Sequence, residues 1–247
     1  MSRNKRSPAQ AFVDAVAADR LAALATVIRG PTLGRKLFVP LQGEPLGTLG
    51  HPTLDRAVLA AAREALTAQQ PRRLAPQEDT EVFIDVHVPR PTLVIVGAVH
   101  IAIPLVTFAK TLGFRTVVVD ARSAFATPER FAHADELIIR WPADVLAEMT
   151  LDETTYVVTL THDEKLDNPA LVEALRRPVR YIGALGSRRT HARRVEALRA
   201  AGIPPEQIAR IHAPIGLDLG GRSPEEIALA IMAEIVAVRN RGPGGSP

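Results

Sequence analysis

Four segments of this 247-residue sequence hold residues whose types and spacing can do chemistry. In the first, Leu93-Val94-Ile95-Val96 runs into Gly97-Ala98-Val99-His100-Ile101-Ala102, which reads as a strand, a glycine turn and a helix start. In a dinucleotide fold the first glycine permits the tight turn, the second lets a pyrophosphate approach the backbone, and the third packs helix on strand. Here only Gly97 is kept. Ala102 can do the packing, but Val99 stands at the close-approach position, where its methyls would crowd a pyrophosphate. The second segment is the end of the next strand, Val119-Asp120, with the acid 23 residues after Gly97. That is near the usual spacing for a ribose-binding carboxylate, so Asp120 is the best cofactor candidate. The competing reading is a cap for the Asp120-Ala121-Arg122-Ser123 turn, with Arg122 either taking a 2′-phosphate or standing as a surface charge.

The third segment is Thr161-His162-Asp163-Glu164-Lys165-Leu166-Asp167. It follows a strand, and the carboxyl ends of parallel strands face the ligand crevice. His162 could shuttle a proton with Asp163 or Asp167 orienting it, and Lys165 could complete a proton-donor pair. The same residues could instead satisfy loop amides, and we expect no metal site. The fourth segment, Tyr181-Ile182-Gly183-Ala184-Leu185-Gly186-Ser187-Arg188-Arg189-Thr190-His191, again runs from a strand into a helix. Gly183 and Gly186 free the backbone and Ser187 offers a cap. Arg188 and Arg189 enter the first turn, where the helix dipole prefers acids, so they suggest an external anion. Otherwise Arg188, Arg189, Arg193 and Arg194 form one solvated face. A further glycine-rich loop, His212 to Arg222, carries Gly216 and Asp218 and precedes the last helix.

These segments need a scaffold that ends several strands at one place, and the hydropathy pattern supplies it. From Thr92 onward, short apolar runs near 92–96, 115–119, 136–140, 155–160 and 180–184 alternate with helical stretches, the mark of parallel strands buried on both faces. Thr127-Pro128, Asn168-Pro169 and Ser223-Pro224 read as helix caps. Ser223 with Glu226 forms a capping box ahead of an apolar stripe at Ile227, Ile231, Ile235 and Val238. Before Pro89-Arg90-Pro91 the pattern differs: a helix over 9–18, strands over 21–28 and 36–41, a helix from His51-Pro52-Thr53 to about Gln69, a loop over 70–80 and a strand over 81–88. The fold class is therefore α/β, with a small α+β domain over 1–89, a Rossmann-like doubly wound parallel sheet over 90–241, and a flexible tail over 242–247. The first ten residues are expected to fray.

Composition removes several functions. With no cysteine there is no disulfide, thiolate ligand or cysteine nucleophile. A net charge of +3 and 4 % aromatics argue against nucleic-acid binding despite the high isoelectric point. Apolar runs are too short for a membrane span, no secretory h-region is present, and the default address is cytoplasmic.

Taken in order, the segments resemble the XdhC/CoxF group of xanthine dehydrogenase accessory proteins, also called molybdenum cofactor insertion proteins. The resemblance covers about residues 81–239. It rests on Val82-Phe83-Ile84-Asp85-Val86, Gly97 to Ala102, Val118 to Arg122, Thr161-His162-Asp163, Tyr181 to Arg189, Ala213-Pro214-Ile215-Gly216-Leu217-Asp218 and Pro224-Glu225-Glu226-Ile227-Ala228. It implies a small N-terminal domain, a Rossmann domain, and an accessory protein that binds molybdenum cofactor, as a phosphorylated pterin or its dinucleotide, and passes it to a molybdenum hydroxylase. Many relatives carry a Gly-Gly-Cys turn whose cysteine is a candidate cofactor ligand. Here the stretch is Gly47-Thr48-Leu49-Gly50-His51-Pro52-Thr53, so a thiolate route is excluded. On this reading Gly97, Val99, His100, Asp120, Arg122, Thr161, His162, Asp163, Gly183, Gly186, Ser187, Arg188, Arg189, Gly216 and Asp218 are the cofactor-binding candidates. The expected partners are a xanthine dehydrogenase-like client and further copies of the chain, without nucleic acid or membrane. The alternatives are an NAD(P)-dependent oxidoreductase using His162, Asp163 and Lys165, and a nucleotide-free scaffold.

Overall fold

A computed structural model describes residues 7–241, in two compact units that part between Pro89 and Arg90. The first unit runs α1 (Pro8–Ala17), β1 (Ala22–Arg29), β2 (Lys36–Pro40), β3 (Leu46–Gly47), α2 (Pro52–Ala68), β4 (Arg72–Gln77) and β5 (Thr80–His87). Its antiparallel sheet has the order β3-β2-β1-β5-β4. Alternate residues of β1, Ala23, Ala25 and Val27, are buried with Leu37, Val39, Val82 and Ile84, as a sheet with one face on a core requires. On α2, Leu54, Val58, Ala62, Ala65 and Leu66 recur at helical spacing and join that core.

Two expectations for this unit need correction. The stretch 70–80 is not all loop, because residues 72–77 form an edge strand paired with β5 through Leu74↔Val82. Pro76 is tolerated there because an edge strand leaves one row of N–H groups unpaired in any case. Residues 8–10 are not frayed but helical, with Ser7 accepting from the Gln10 amide at 3.1 Å. Residues 1–6 and the expected tail over 242–247 lie outside the described residues.

The second unit continues with β6 (Thr92–Val96), α3 (Ala102–Thr111), β7 (Arg115–Val119), α4 (Pro128–Phe131), β8 (Glu136–Ile138), α5 (Pro142–Glu148), β9 (Thr155–Thr159), α6 (Glu164–Leu175), β10 (Tyr181–Ala184), α7 (Arg188–Ala200), α8 (Pro205–Ile208), β11 (Ile211–His212) and α9 (Pro224–Arg241). Its six strands are all parallel, in the order β11-β10-β9-β6-β7-β8. This is the doubly wound order, reversing direction between β6 and β9. Alternation along the strands fills two layers. Leu93, Ile95, Val118 and Val158 pack with Leu105 and Ala109 of α3 and Ile231 and Ile235 of α9. Val94, Val96, Val117 and Val157 pack with Leu146, Leu171, Leu175 and Leu198.

The expected cap at Asn168-Pro169 is also corrected. Both residues lie inside α6, which starts at Glu164 with Asp163 as its cap, accepting from the Lys165 amide at 2.9 Å. Proline removes one amide and frees the carbonyl four residues earlier. That carbonyl belongs to Lys165, which is exposed, so water can satisfy it. The box at Ser223 forms as expected: its amide donates to Glu226 at 2.9 Å and its hydroxyl accepts from the Glu226 amide at 3.2 Å.

The far end of α6, and thereby its position on the sheet, is held by one side chain. The Arg210 guanidinium donates to the carbonyls of Leu175, Arg177 and Val179 at 3.1, 3.1 and 2.8 Å. A planar guanidinium spreads its donors over separate nitrogens and so spans carbonyls that a compact ammonium, with its three donors on one nitrogen, reaches less well. Arg210→Met is therefore expected to lower stability by about 2–4 kcal/mol in a denaturant titration, and Arg210→Lys to recover less than half of that.

Candidate functional site

At the point where strand order reverses, the turn after β6 passes close against the end of β9. Gly97 has φ +110°, and a Cβ built on it would lie 2.6 Å from Thr161 Cγ2 and 3.2 Å from the Thr161 amide nitrogen. Only glycine satisfies both the dihedral and the contact. Ala102 is fully buried where the third glycine of a dinucleotide turn would pack. Val99 is half-buried against the α3 side of the core, and His100 is exposed.

Asp120 closes the β7 side of this turn. Its carboxylate is fully buried and accepts four hydrogen bonds, from the Ala98 amide at 2.8 Å and from Arg122 N, Nε and Nη2 at 2.9, 2.9 and 2.7 Å. Burial would push this carboxyl up. The Arg122 side chain, then the Arg122 and Ala98 amides, outweigh it and hold the group below the usual carboxylate range. Arg122 also lies over the Phe125 ring at 4.5 Å. A carboxylate offers about four lone-pair sites, so a ribose could bind Asp120 only by displacing Arg122. The geometry shows Asp120 as the cap of its own turn.

Across the crevice the Thr161 hydroxyl donates to Asp167 at 2.7 Å and accepts from the Asp163 amide at 3.1 Å. His162 and Lys165 are exposed. Neither aspartate orients His162, because Asp163 caps α6 and Asp167 points inward to Thr161. Asp167 is 2 % exposed, and burial pushes its carboxyl up to about 7, against the downward pull of the Thr161 hydrogen bond and the Arg194 charge. Arg122 feels the charges of both Asp163 and Asp167.

After β10, Ser187 caps α7 by accepting from the Thr190 amide at 3.2 Å, and Gly186, at φ +136°, passes close to the Thr190 side chain. Arg188 and Arg189 are exposed in the first turn, as their position in the sequence implies. Arg194 is not. It is 4 % exposed, donates to the Leu185 carbonyl at 3.0 Å, and stands 3.9 Å from Asp167. It therefore leaves the solvated face expected of the four arginines. The spacing of 194 and 198 matches Leu198, which is fully buried. That helical period was the signal for an inward residue 194, and the charge of the residue obscured it.

The glycine loop before α9 is organised by a residue the motif reading missed. Glu234 accepts from Tyr181 Oη at 2.5 Å, His212 Nδ1 at 3.0 Å and the Gly216 amide at 2.8 Å. Desolvation would raise its carboxyl, but His212, Tyr181 and Gly216 together hold it below the usual range. Gly183 lets Ile215 pack against β10, and a Cβ on Gly216 would lie 3.1 Å from the α9 backbone. Both glycines are thus packing devices, while Asp218 is exposed. An acid between buried Ile231 and Ile235 was the available clue to Glu234.

A model of the XdhC Rossmann domain matches residues 93–235, and one of the XdhC and CoxI family matches residues 15–75. The chain belongs to the XdhC family. This XdhC-family chain is 31 % identical over 230 residues to the uncharacterized protein YqeB of Escherichia coli (strain K12), covering 87 % of the chain and 42 % of the relative. It is 34 % identical over 164 residues to a probable xanthine dehydrogenase subunit of Bacillus subtilis (strain 168), covering 66 % and 48 %. It is 36 % identical over 99 residues to the molybdenum cofactor insertion chaperone PaoD of Escherichia coli (strain K12), covering 40 % and 30 %. The chain thus spans less than half the length of these curated relatives. A crystal structure of a xanthine dehydrogenase from Bacillus halodurans superposes with a TM-score of 0.70 at 27 % identity, covering 93 % of this chain and 65 % of that one. Among the described residues no helix is long and apolar enough to cross a membrane.

Two outcomes follow from this geometry. Gly97→Ala should cost at least about 2 kcal/mol in thermal or chemical unfolding, since it brings both a disfavoured φ and a backbone clash. Asp167 keeps a proton that the unfolded chain releases above about pH 4. Its contribution to stability is therefore full below about pH 4 and is lost as pH rises to about 7. Asp167→Asn should be more stable than the parent by an amount that grows across that window, to on the order of 3 kcal/mol at about pH 8, measured as the difference between paired denaturant titrations.

Proposed function

We propose that this chain is an accessory protein of the molybdenum hydroxylases. It binds molybdenum cofactor, as a phosphorylated pterin or its dinucleotide, at the carboxyl end of the parallel sheet and assists its insertion into a xanthine dehydrogenase-type client. The observation that carries the reading is the pair Arg188 and Arg189, exposed at the positive end of α7 directly after Gly186. Two cations have no partner in the helix dipole there, and an external phosphate would supply one. The glycine cradle at Gly97 supports the same reading. So do the names of two relatives, the insertion chaperone PaoD and the Bacillus subtilis dehydrogenase component.

The residues present fit the organic part of the cofactor. Arg188, Arg189 and the amides after Ser187 would hold its phosphate. Gly97, Gly183 and Gly216 shape the turns around it. His100, Arg122, His162, Asp163 and Asp218 reach the surface of those turns and are proposed to contact the pterin or nucleotide. When bound, the cofactor brings the molybdenum chemistry that its client uses, and this chain's part is to hold and shield it. With no cysteine in the sequence, no thiolate of this chain can reach the metal. The oxidoreductase reading is weaker, because Asp120 is saturated by Ala98 and Arg122 and no carboxylate orients His162.

Purification from a host that makes molybdenum cofactor should yield the protein with a pterin, read by fluorescence after oxidation, and molybdenum, read by mass spectrometry. A well-folded preparation with neither overturns the reading. The double change Arg188→Ala, Arg189→Ala removes two charge-assisted hydrogen bonds of about 1.5–3 kcal/mol each. Cofactor affinity should fall at least tenfold, roughly 1.4 kcal/mol or more, with unfolding unchanged or slightly improved.

A further inference from the structure

Arg194 is a buried cation with too few partners. Its Nη2 meets the Leu185 carbonyl at 3.0 Å, while Nε and Nη1 are buried without a hydrogen-bond partner. Its approach to Asp167, at 3.9 Å, is too long for a hydrogen bond. A guanidinium does not shed its proton in a protein, so a full charge lies inside the unit with two donor nitrogens unmet, a costly arrangement unless an anion completes it. One turn earlier on α7, His191 Nδ1 is also buried and unpartnered. The neighbouring Arg193, by contrast, is exposed and paired with Glu164 at 3.4 Å. The orphaned donors sit between the turn after β9 and the turn after β10. They connect to the crevice through Asp167 and through Thr161, the residue that packs on Gly97.

We propose that Arg194 is the internal cation that an oxyanion of the ligand, a phosphate or its tetrahedral analogue, recruits at the carboxyl ends of β9 and β10, and that the Asp167 carboxylate competes with that anion for it. The proposal rests on the reading of this crevice as the site of a phosphorylated ligand, and it adds which buried group the phosphate engages and what opposes it. When Asp167 is ionised it claims Arg194. When it is protonated it remains bound to Thr161, and the guanidinium is free to pair elsewhere. Anion binding therefore takes up a proton, and affinity falls as pH rises through about 7, the range to which burial pushes Asp167. The charged groups that act on Asp167 are Arg194 from α7, Asp163 from the turn before its own helix and Arg122 from the turn after β7, while Glu164 and His191 act through Arg194. Burial and the Arg194 charge hold His191 below its ordinary value, and Asp167→Asn, which leaves His191 in place, separates its titration from that of Asp167.

Sulfate is a suitable probe because its charge is constant between about pH 6 and 8. Its dissociation constant is read from the sulfate-dependent rise in melting temperature. For the full chain, sulfate should bind about fivefold or more tightly at pH 6 than at pH 8. Asp167→Asn should bind at pH 8 as the parent does at pH 6, with no pH dependence left. The double variant Asp167→Asn, Arg194→Met removes both buried charges together and should bind sulfate at least about tenfold more weakly than the parent at pH 6, with no difference between the two pH values, while Arg188→Ala, Arg189→Ala should keep the parent's ratio between the two pH values. A folded double variant that binds sulfate like the parent overturns the proposal. If that variant does not fold, Asp167→Asn decides alone: a pH dependence unchanged from the parent overturns the proposal, and its loss with tight binding supports it. Pterin retained undiminished by the folded double variant sinks this inference and leaves the proposed function standing. The sulfate behaviour described, in a protein that carries no pterin, does the reverse.

Discussion

The turn after β6 has room to pass the end of β9 only because residue 97 carries no side chain: a Cβ there would sit 2.6 Å from the Thr161 methyl. From that approach the rest of the crevice follows. Thr161, fixed against the turn, uses its hydroxyl to reach Asp167 and to receive the Asp163 amide, which sets where α6 begins. Asp167 faces Arg194 of α7, and Arg194 holds the Leu185 carbonyl in the turn after β10. On the other flank Asp120 ties the Ala98 amide to Arg122. Four turns, after β6, β7, β9 and β10, are thereby fixed by one close contact and a short chain of polar bonds.

Within this arrangement two buried aspartates, Asp120 just after β7 and Asp167 in the first turn of α6, have opposite electrostatics, and the count of donors decides which is which. Asp120 and Asp167 are both almost fully buried. Asp120 receives four hydrogen bonds, two of them from a guanidinium, and its charge is stabilised. Asp167 receives one from a hydroxyl and faces its arginine beyond bonding distance, so desolvation prevails. The arginines mirror them: Arg122 is engaged on one carboxylate, while Arg194 is left with donors to spare. A saturated pair makes a rigid wall, and an unsaturated pair close to neutrality can respond to a ligand.

The first unit solves the turn before α2 without the cysteine that the family resemblance implies for many relatives. Asp55 accepts from the Thr48 hydroxyl and the Leu49 amide, both at 2.6 Å, and the Thr48 hydroxyl accepts from the Gly50 amide at 3.0 Å. The turn is closed by its own hydrogen bonds, and α2 starts from it under the His51 cap. Fold alone does not carry function, and in this chain the crevice groups with unmet demand lie in the parallel-sheet unit.

Read alone, the sequence determined the features that repeat along the chain. Fully apolar runs such as 93–96 mark strands buried on both faces, the capping box at Ser223 and Glu226 marks the last helix, and Gly97 marks a turn that tolerates no side chain. These are local: period, cap and backbone freedom are properties of a few consecutive residues. The short edge strand over 72–77 escaped because its identity lies in its pairing with β5. The start of α6 was misplaced because Asn168-Pro169 has the form of a cap, whereas the bonds from Thr161 and Asp163 that set the true start depend on the packing of β9 against β6. Tertiary structure alone decided that Asp120 is closed by Arg122, that Glu234 gathers Tyr181, His212 and Gly216, and that one arginine of a basic helix turns inward. A charge in a sequence does not show which way it faces. Burial and the number of donors within reach are fixed only when separate strands end at the same place, and those two quantities set what each charged group can do.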